Sequence, residues 1–293
     1  MKKTLKNLIK HRWAYIFLAP WLFFFFIFVF VPFVIGITYA FFDYNFVTMK
    51  FVGFRNFAYI LSDNIFLRSI GNTVKIAVIV VMLTISVSLL LSVIIIRQAK
   101  RFQSLSKIAI YIPAVTSSVA IVAIWRWTFS PALGISATIC AKLGITAIDW
   151  FGQPTNALSL VSLMVLAFTL GQPVVLYTAA MIAVPKTYFE AALIDGASEV
   201  RQFFSIMLPM ISPTTLYITV TSTIGIMQVF EVPLLLTSGG PQYSTTTIML
   251  MLYRTAFDSA RFGRAAAMGI VLFVMIGILG IIQFRTMKSD IKY

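Results

Sequence analysis

The hydrophobic and polar positions divide the chain into six long apolar segments separated by shorter stretches that hold most of the charges. The predicted spans cover residues 13–42, 76–96, 108–128, 156–184, 209–232 and 265–284. A helix of about 20 apolar residues crosses a hydrocarbon core of about 30 Å. The pattern therefore predicts an all-α polytopic membrane protein with six transmembrane helices, forming one transmembrane domain over residues 1–293.

Composition and charge support this class and orient it. Hydrophobic residues make up 60% of the 293 positions and charged residues 11%, which excludes a soluble globular protein. Of the 23 lysines and arginines, 14 lie in the two terminal tails and in the stretches 97–107 and 185–208. Because basic residues concentrate on the cytoplasmic side, we expect these stretches and both termini to lie inside. The net charge of +14 is then a topology signal, and no nucleic-acid partner is expected.

The residue types that carry catalysis or bind metals are scarce. Cys140 is the only cysteine and His11 the only histidine, and the sequence has no HExxH motif and no paired carboxylate. We therefore expect no catalytic residue, no metal site and no cofactor on this chain.

The stretch 185–208 has its own local pattern. Thr187 followed by Glu190 is typical of a capping box, which predicts a helix starting there. Gly196 is placed to end that helix in a left-handed conformation, and Ser198 to cap a second one. The second helix is predicted to carry one apolar stripe, formed by Val200, Phe203, Phe204, Met207 and Leu208.

The same stretch resembles the EAA loop of bacterial ABC importer permeases, whose fixed positions are all filled. They are Glu190, Ala191, Ala192, Gly196, Ile206, Leu208 and Pro209. In that family the loop is the coupling helix that docks on the ATPase subunit. The resemblance implies an ATPase-coupling site formed by Tyr188, Phe189, Glu190, Ala191, Ala192, Leu193, Asp195 and Gly196. Asp195 and Arg201 are alternatively placed to brace the loop internally.

Further motifs extend the resemblance over most of the chain, to permeases of carbohydrate importers of the maltose and glycerol-phosphate type. They are LAPWLFF at 18–24, VGFRNF at 52–57, DWF at 149–151, GGP at 239–241 and YRTAF at 253–257. Ser238 stands where that family usually has another glycine. The resemblance implies a multi-pass protein of the bacterial cytoplasmic membrane. Its partners would be a second homologous permease, two ATPase subunits that bind ATP and Mg, and an extracellular or periplasmic sugar-binding protein.

Polar residues within the fourth and fifth spans indicate a substrate path. Residues 171–173, Gly-Gln-Pro, interrupt the helical hydrogen bonds in mid-span, which is tolerated against protein or a cavity. By the resemblance, segments 171–174 and 222–231 contact sugar. The expected path residues are Gly171, Gln172, Val174, Ser222, Gln228, Phe230 and Glu231. A packing kink at 171–173 and a headgroup-facing Glu231 are the alternatives.

The sequence thus predicts a permease for a carbohydrate, with an oligosaccharide preferred. Glycerol phosphate or a polyol is the alternative cargo, and a secondary carrier is the alternative from another class. A phosphate site in the spans should contain converging cations, and Arg126 is the one cation near such a place.

Overall fold

The structure, a computed structural model, describes residues 12–287, with side chains from Ile16 onward. His11, Lys288 and Lys292 lie outside the described residues. The chain divides into two compact units. One comprises Met1–Ile60 and Arg254–Ile270, the other Leu61–Tyr253 and Val271–Tyr293.

The first unit begins with a long apolar helix. Helix α1 (Arg12–Phe25), a π-helical turn (Phe26–Phe30) and α2 (Val31–Ala40) follow one another without a gap. Pro32 occupies the start of α2, where a missing N–H is tolerated. A hairpin of β1 (Phe42–Tyr44) and β2 (Met49–Phe51) follows, with Phe42 opposite Phe51 in an antiparallel pair, and then α3 (Arg55–Ser62). The purely helical expectation missed this hairpin, because three-residue strands leave almost no periodic signal.

The VGFRNF motif holds the first unit together. The buried Asn56 amide donates hydrogen bonds to the carbonyl oxygens of Ala40 and Phe42, both at 2.9 Å. A Cβ at Gly263 would lie 1.9 Å from the Phe42 oxygen, so only glycine fits there. The Arg264 guanidinium lies 3.6 Å from the ring centroid of Tyr59. These contacts fasten the hairpin to the start of the last helix.

The second unit is built around α4 (Asn64–Ile96), a helix of 33 residues. The following helices are α5 (Lys100–Val115), α6 (Ser118–Thr128), α7 (Ile135–Lys142), α8 (Pro154–Thr169), α9 (Gly171–Ala183), α10 (Lys186–Ile194), α11 (Glu199–Gln202), α12 (Leu208–Met210), α13 (Ser212–Met227), α14 (Glu231–Thr237) and α15 (Ile248–Tyr253). Two further π-helical turns are Phe203–Met207 and Arg254–Asp258, and α16 (Phe262–Thr286) completes the described chain.

Within residues 12–287, three helical stretches are long and apolar enough to cross a membrane: Ile16–Ala40, Asn64–Ile96 and Phe262–Thr286. Three pairs also qualify if each pair is one broken span. They are Lys100–Val115 with Ser118–Thr128, bent by 96°, Pro154–Thr169 with Gly171–Ala183, bent by 47°, and Glu199–Met210 with Ser212–Met227, bent by 64°. The predicted break at 171–173 is confirmed.

Two further predicted spans contain breaks that the sequence did not predict. The segment 108–128 bends sharply at Thr116 and Ser117, and its first helix begins at Lys100, inside the predicted basic loop. The segment 209–232 ends its helix at Met227, and a separate helix starts at Glu231. A hydropathy profile shows neither break, because most residues on both sides of each break are apolar.

Small hydroxyl side chains on α4 allow close packing. The buried face of this helix includes Ser69, Thr73, Thr84, Ser88 and Ser92. Ser92 donates a hydrogen bond to the backbone oxygen of Val174 at 3.0 Å, which joins α4 to α9. Such residues let membrane helices approach each other and satisfy their polar groups.

Candidate functional site

The coupling stretch starts one residue earlier than predicted. Helix α10 begins at Lys186, with the extended Pro185 as its N-cap and no capping side-chain hydrogen bond. The predicted capping box at Thr187 is therefore wrong, and Thr187 lies inside the helix. Only Val184 and Pro185 separate α9 from α10. The position of α9 in the packed structure therefore determines where α10 starts.

The end of α10 has the predicted glycine geometry. Gly196 has φ +73°, in the left-handed region. The amide of Ala197 donates to the Ala192 oxygen at 2.9 Å, and that of Gly196 to the Leu193 oxygen at 3.1 Å. These two hydrogen bonds form a Schellman motif, which reverses the chain tightly. We call residues 194–198 the elbow.

The second half of the stretch differs from the predicted single stripe. Ser198 caps it as predicted, accepting a hydrogen bond from the Arg201 amide at 3.4 Å. The π-helical turn Phe203–Met207 then adds a residue and rotates the apolar face. Phe203, Met207 and Leu208 pack against the core, but Val200 and Phe204 are 67% and 61% exposed. The sequence pattern did not single out Gln202, which is buried and donates to the Ala197 oxygen at 2.9 Å.

The expected coupling residues divide between surface and core. Phe189 is half-buried and packs against the cluster of Tyr177, Met181, Val184, Ile211 and Ile218. Tyr188 and Leu193 are 52% and 63% exposed, and Ile194, which was not among the expected residues, is 87% exposed. Glu190, Ala191, Asp195 and Gly196 are exposed, and Ala192 is half-buried. We call Tyr188, Glu190, Leu193 and Ile194 the elbow surface.

An ion pair joins the residue that follows the elbow to the end of α4. Arg97, just past the end of α4, lies 2.9 Å from a carboxylate oxygen of Glu199. Within residues 12–287, neither Asp195 nor Arg201 forms an ion pair, so the bracing expected of them falls to Glu199. The partners are 102 residues apart in sequence, and no local pattern indicated the pairing.

A cavity of about 340 Å³ lies between α5, the break of α8 and α9, and α13. We call it the central cavity. Two of the expected path residues, Gln172 and Ser222, line it, together with Thr169, Thr221 and Tyr111, which were not among the expected residues. Gly171 is buried against Tyr111, and Val174 is fully buried in the wall behind the cavity. Gln172 and Ser222 offer polar groups to a ligand, whereas Gly171 and Val174 shape the packing.

Gln228, Phe230 and Glu231 lie elsewhere, at the break between α13 and α14. Phe230 stacks on Tyr253 with ring centroids 5.6 Å apart. The Glu231 carboxylate accepts a hydrogen bond from the Ser118 hydroxyl at the start of α6. Thr247 donates to the Val229 oxygen at 2.8 Å, which satisfies a backbone group that the break frees. Phe230 and Glu231 thus contact neighbouring helices at this break, and none of the three residues lines the central cavity.

Comparison with known proteins shows the family to which this chain belongs. The model of the family described as "Binding-protein-dependent transport system inner membrane component" matches residues 88–288. The chain belongs to this family. It is therefore a transport permease subunit of the inner membrane type, and the resemblance noted in the sequence is confirmed.

Relatives of this permease are named for different cargoes. It is 30% identical to the sn-glycerol-3-phosphate transport system permease protein UgpA of Yersinia pseudotuberculosis serotype I (strain IP32953), over 83% of each chain. It is also 30% identical, over the full length of both chains, to a protein of Thermoanaerobacterium thermosulfurigenes named "Probable starch degradation products transport system permease protein AmyD".

The permease fold also matches solved structures. A crystal structure of a bacterial ABC transporter involved in the import of alginate matches over 99% of this chain and all of that one, with a TM-score of 0.86 and 23% identity. A structure of the alginate transporter in complex with a periplasmic protein bound to an alginate pentasaccharide matches with a TM-score of 0.83 and 23% identity, over 98% of this chain and 99% of that one. Family membership sets aside the secondary carrier.

Proposed function

We propose that this chain is one of two permease subunits of an ATP-driven ABC importer that carries a neutral oligosaccharide across the bacterial cytoplasmic membrane. Six spans place both termini in the cytoplasm, three of them being the bent helix pairs. The second permease, two ATPase subunits holding ATP and Mg, and an external sugar-binding protein complete the transporter. This chain supplies the path and the mechanical coupling and performs no covalent chemistry.

The elbow is the observation that carries this proposal. Tyr188, Leu193 and Ile194 expose apolar surface on a short helix whose end is fixed by the Schellman motif at Gly196. Exposed apolar side chains beside a carboxylate are typical of a surface that another protein covers. The acidic Glu190 offers a partner for basic groups on the ATPase.

Packed side chains and one ion pair would transmit a movement of the elbow to the walls of the central cavity. Phe189 packs on the core cluster, which includes Tyr177 of α9 and Ile218 of α13. The Arg97–Glu199 pair connects the same stretch to α4. Since α9 and α13 also line the central cavity, closure of the ATPases would move its walls. Alternating access then follows from rotation of packed helices.

The lining of the central cavity favours a neutral, polyhydroxylated cargo. Its polar groups are the amide of Gln172 and the hydroxyls of Tyr111, Thr169, Thr221 and Ser222. Phe168 and Tyr111 add aromatic rings, against which sugar faces pack. Among the residues that the structure describes, no lysine or arginine lines it, whereas a bound phosphate would favour such cations. Glycerol phosphate is thus the weaker candidate, despite the relative named for it.

Uptake by cells carrying the complete transporter tests this function. Wild-type cells should accumulate labelled maltotriose, and Gly196→Asp should reduce uptake to background, because the side chain strains the elbow and obstructs docking. Labelled glycerol 3-phosphate, offered in parallel, distinguishes the cargo classes. Immunoblotting of the membrane fraction verifies that the variant is inserted.

Gly144→Asp is the matched control. Gly144 also has a left-handed backbone, with φ +70°, and a Cβ there likewise meets nothing within 4 Å. The two substitutions therefore carry the same backbone strain, but Gly144 lies beyond α7, outside the coupling stretch. Normal uptake by both variants would refute the coupling role, and equal loss in both would attribute the defect to strain alone.

A further inference from the structure

A second cavity, of about 260 Å³, lies beside the first turns of α4 and the start of α8. Its wall includes Arg68, Gly71, Asn72 and Lys75 of α4, Pro154, Thr155 and Leu158 of α8, and Ser244. We call it the basic notch. It is separate from the elbow and the central cavity, and none of the expected site residues lines it.

Two cations frame the notch. Arg68 and Lys75 are seven residues apart, two helical turns, and so lie on the same side of α4. Gly71 lies between them, and a Cβ there would meet nothing within 4 Å, so the space between the cations is open. Within the described residues, neither cation has an ion-pair partner. Asp63, the acid nearest in sequence, is occupied in capping α4 through the Ile65 amide at 2.8 Å.

Neutral donors complete the lining. Ser244 is 7% exposed, and its hydroxyl has no hydrogen-bond partner within residues 12–287. Thr155 lies in the first turn of α8, whose N-cap residue Gln153 forms no capping side-chain hydrogen bond. A helix N-terminus with free amides favours a negative charge. A buried donor without an acceptor is costly, which favours a ligand that supplies one.

The wall of the notch is already ordered. The Asn72 side-chain nitrogen donates to the carbonyl oxygens of Tyr243 and Thr246, at 2.8 and 3.0 Å. These bonds hold the segment that carries Ser244 against α4. The cations, the hydroxyls and the helix terminus therefore face one prepared cavity.

We propose that the basic notch binds a phosphate group. Its ligands are Arg68, Lys75, Thr155 and Ser244, and two cations with two hydroxyls around one cavity suit the negative charge and the several acceptor oxygens of a phosphate. The position of the notch along α4 suits a phospholipid headgroup. Lys75 directly precedes the uncharged run that begins at Ile76, and Arg68 is about 10 Å nearer the helix start, so the notch begins at the edge of the hydrocarbon core and extends through the headgroup layer, about 5–8 Å thick.

A phosphate site here accounts for the presence of two basic residues that lie outside the stretches expected in the cytoplasm. Arg68 and Lys75 are among the nine lysines and arginines outside the stretches expected to lie inside. They lie at the far end of α4 from Arg97, with Lys75 and Arg97 about 33 Å apart along the helix, close to one hydrocarbon thickness. The notch and the elbow thus belong to opposite membrane surfaces.

Lipid and phosphate binding to the purified, complete transporter in neutral detergent test the proposal. Native mass spectrometry measures retention of phosphatidylglycerol, and titration calorimetry measures binding of sodium phosphate. Arg68→Gln combined with Lys75→Gln should weaken binding about tenfold, since each cation near a phosphate contributes part of the affinity. Gly71→Leu, which fills the notch and keeps both charges, should have the same effect.

Matched controls separate the notch from general charge and helix effects. Lys50→Gln combined with Arg55→Gln removes two basic residues elsewhere. Gly36→Leu fills another helical position where a Cβ meets nothing within 4 Å. Both controls should bind as the wild type does.

The two arms identify the source of the phosphate. The ligand is a lipid headgroup if the notch variants lose bound phosphatidylglycerol and no protein shows detectable binding of sodium phosphate. Loss of sodium phosphate binding assigns a free phosphate. The proposal is wrong if the notch variants retain both ligands, or if the controls lose them equally.

Discussion

At the scale of single residues, Asn72 shows how one buried amide can hold a loop. Its two hydrogen bonds reach the segment 238–247, where Ser238, Gln242 and Tyr243 all have positive φ. Left-handed backbone is unfavourable for residues other than glycine and persists where surrounding contacts hold it. Thr73, the next residue of α4, accepts a hydrogen bond from the Ile248 amide at 3.0 Å and supports the same segment.

We expect Asn72→Ala to loosen this loop. The substitution leaves two carbonyl oxygens without their donor, which costs about 1–3 kcal/mol. Amide hydrogen exchange of residues 238–247 should become faster, and the melting temperature of the transporter should fall. Asn64→Ala, at an exposed asparagine of the same helix, is the control and should change neither. Unchanged exchange in the Asn72 variant would show that the loop is held by other contacts.

Residues with a local role were predictable, and residues with a distant partner were not. The left-handed Gly196 and the Ser198 cap follow from chemistry within a few positions. Phe189 was expected on the docking surface, but the half-buried ring packs on the core cluster. Its neighbours in sequence are equally apolar, so nothing local distinguishes the buried ring from the exposed Ile194.

At the scale of elements, breaks in helices shape the central cavity. Helices α8 and α9 meet at 47° just before Gly171. A Cβ at this glycine would lie 2.9 Å from Tyr111 Cδ2 and 3.0 Å from Tyr111 Cα. The missing side chain therefore lets α9 lie against the backbone of α5 at the edge of the cavity.

Gly171→Ala is expected to push these helices apart. Overpacking of this kind costs about 1–3 kcal/mol, because a backbone atom cannot rotate away as a side chain can. The melting temperature of the purified transporter should fall. Gly225→Ala is the matched control, since it lines the same cavity and its Cβ would meet nothing within 4 Å. There the helix should be stabilised, because alanine favours helix over glycine by about 1 kcal/mol. Equal melting temperatures of the two variants would contradict the close approach at Gly171.

The broken elements were only partly foreseeable. Residues 171–173 contain glycine and proline, and the break there could be predicted. The 96° bend between α5 and α6 occurs at Thr116 and Ser117, two residues that helices commonly accept. Pro113 lies three residues before this bend, and Pro209 follows the π-helical turn Phe203–Met207, but a proline does not by itself set the angle or the type of irregularity. Both depend on how the flanking helices pack.

At the scale of the whole molecule, the proposed topology places the start of α5 and the end of α7 on opposite sides of the membrane. Basic residues surround Phe102 near the start of α5, whereas Leu143 follows α7 in a stretch expected outside. Both side chains are well exposed, at 61% and 68%. A cysteine introduced at either position is therefore accessible to a reagent on its own side of the membrane.

Cysteine labelling checks this orientation. In a Cys140→Ser background, Leu143→Cys should react with a membrane-impermeant maleimide in intact spheroplasts. Phe102→Cys should react only after permeabilisation. The background protein without either cysteine should not react. Labelling of Phe102→Cys in intact spheroplasts would invert the proposed topology.

The membrane class, the family and the local turns of this protein follow from its amino-acid sequence without any tertiary information. Apolar length, the spacing around Glu190 and Gly196, and the Gly-Gln-Pro interruption each act within a few residues, because backbone hydrogen bonds and transfer into lipid are local effects. The tertiary structure alone decided the hairpin, the pairing of Arg97 with Glu199, the split of the path residues between two places and the basic notch. Apart from the hairpin, whose strands are close in sequence, each of these features joins residues far apart in the chain; Asn72 and Thr246, for example, are separated by 174 positions. Such contacts depend on which helix faces meet, and that is settled only when the whole chain has packed.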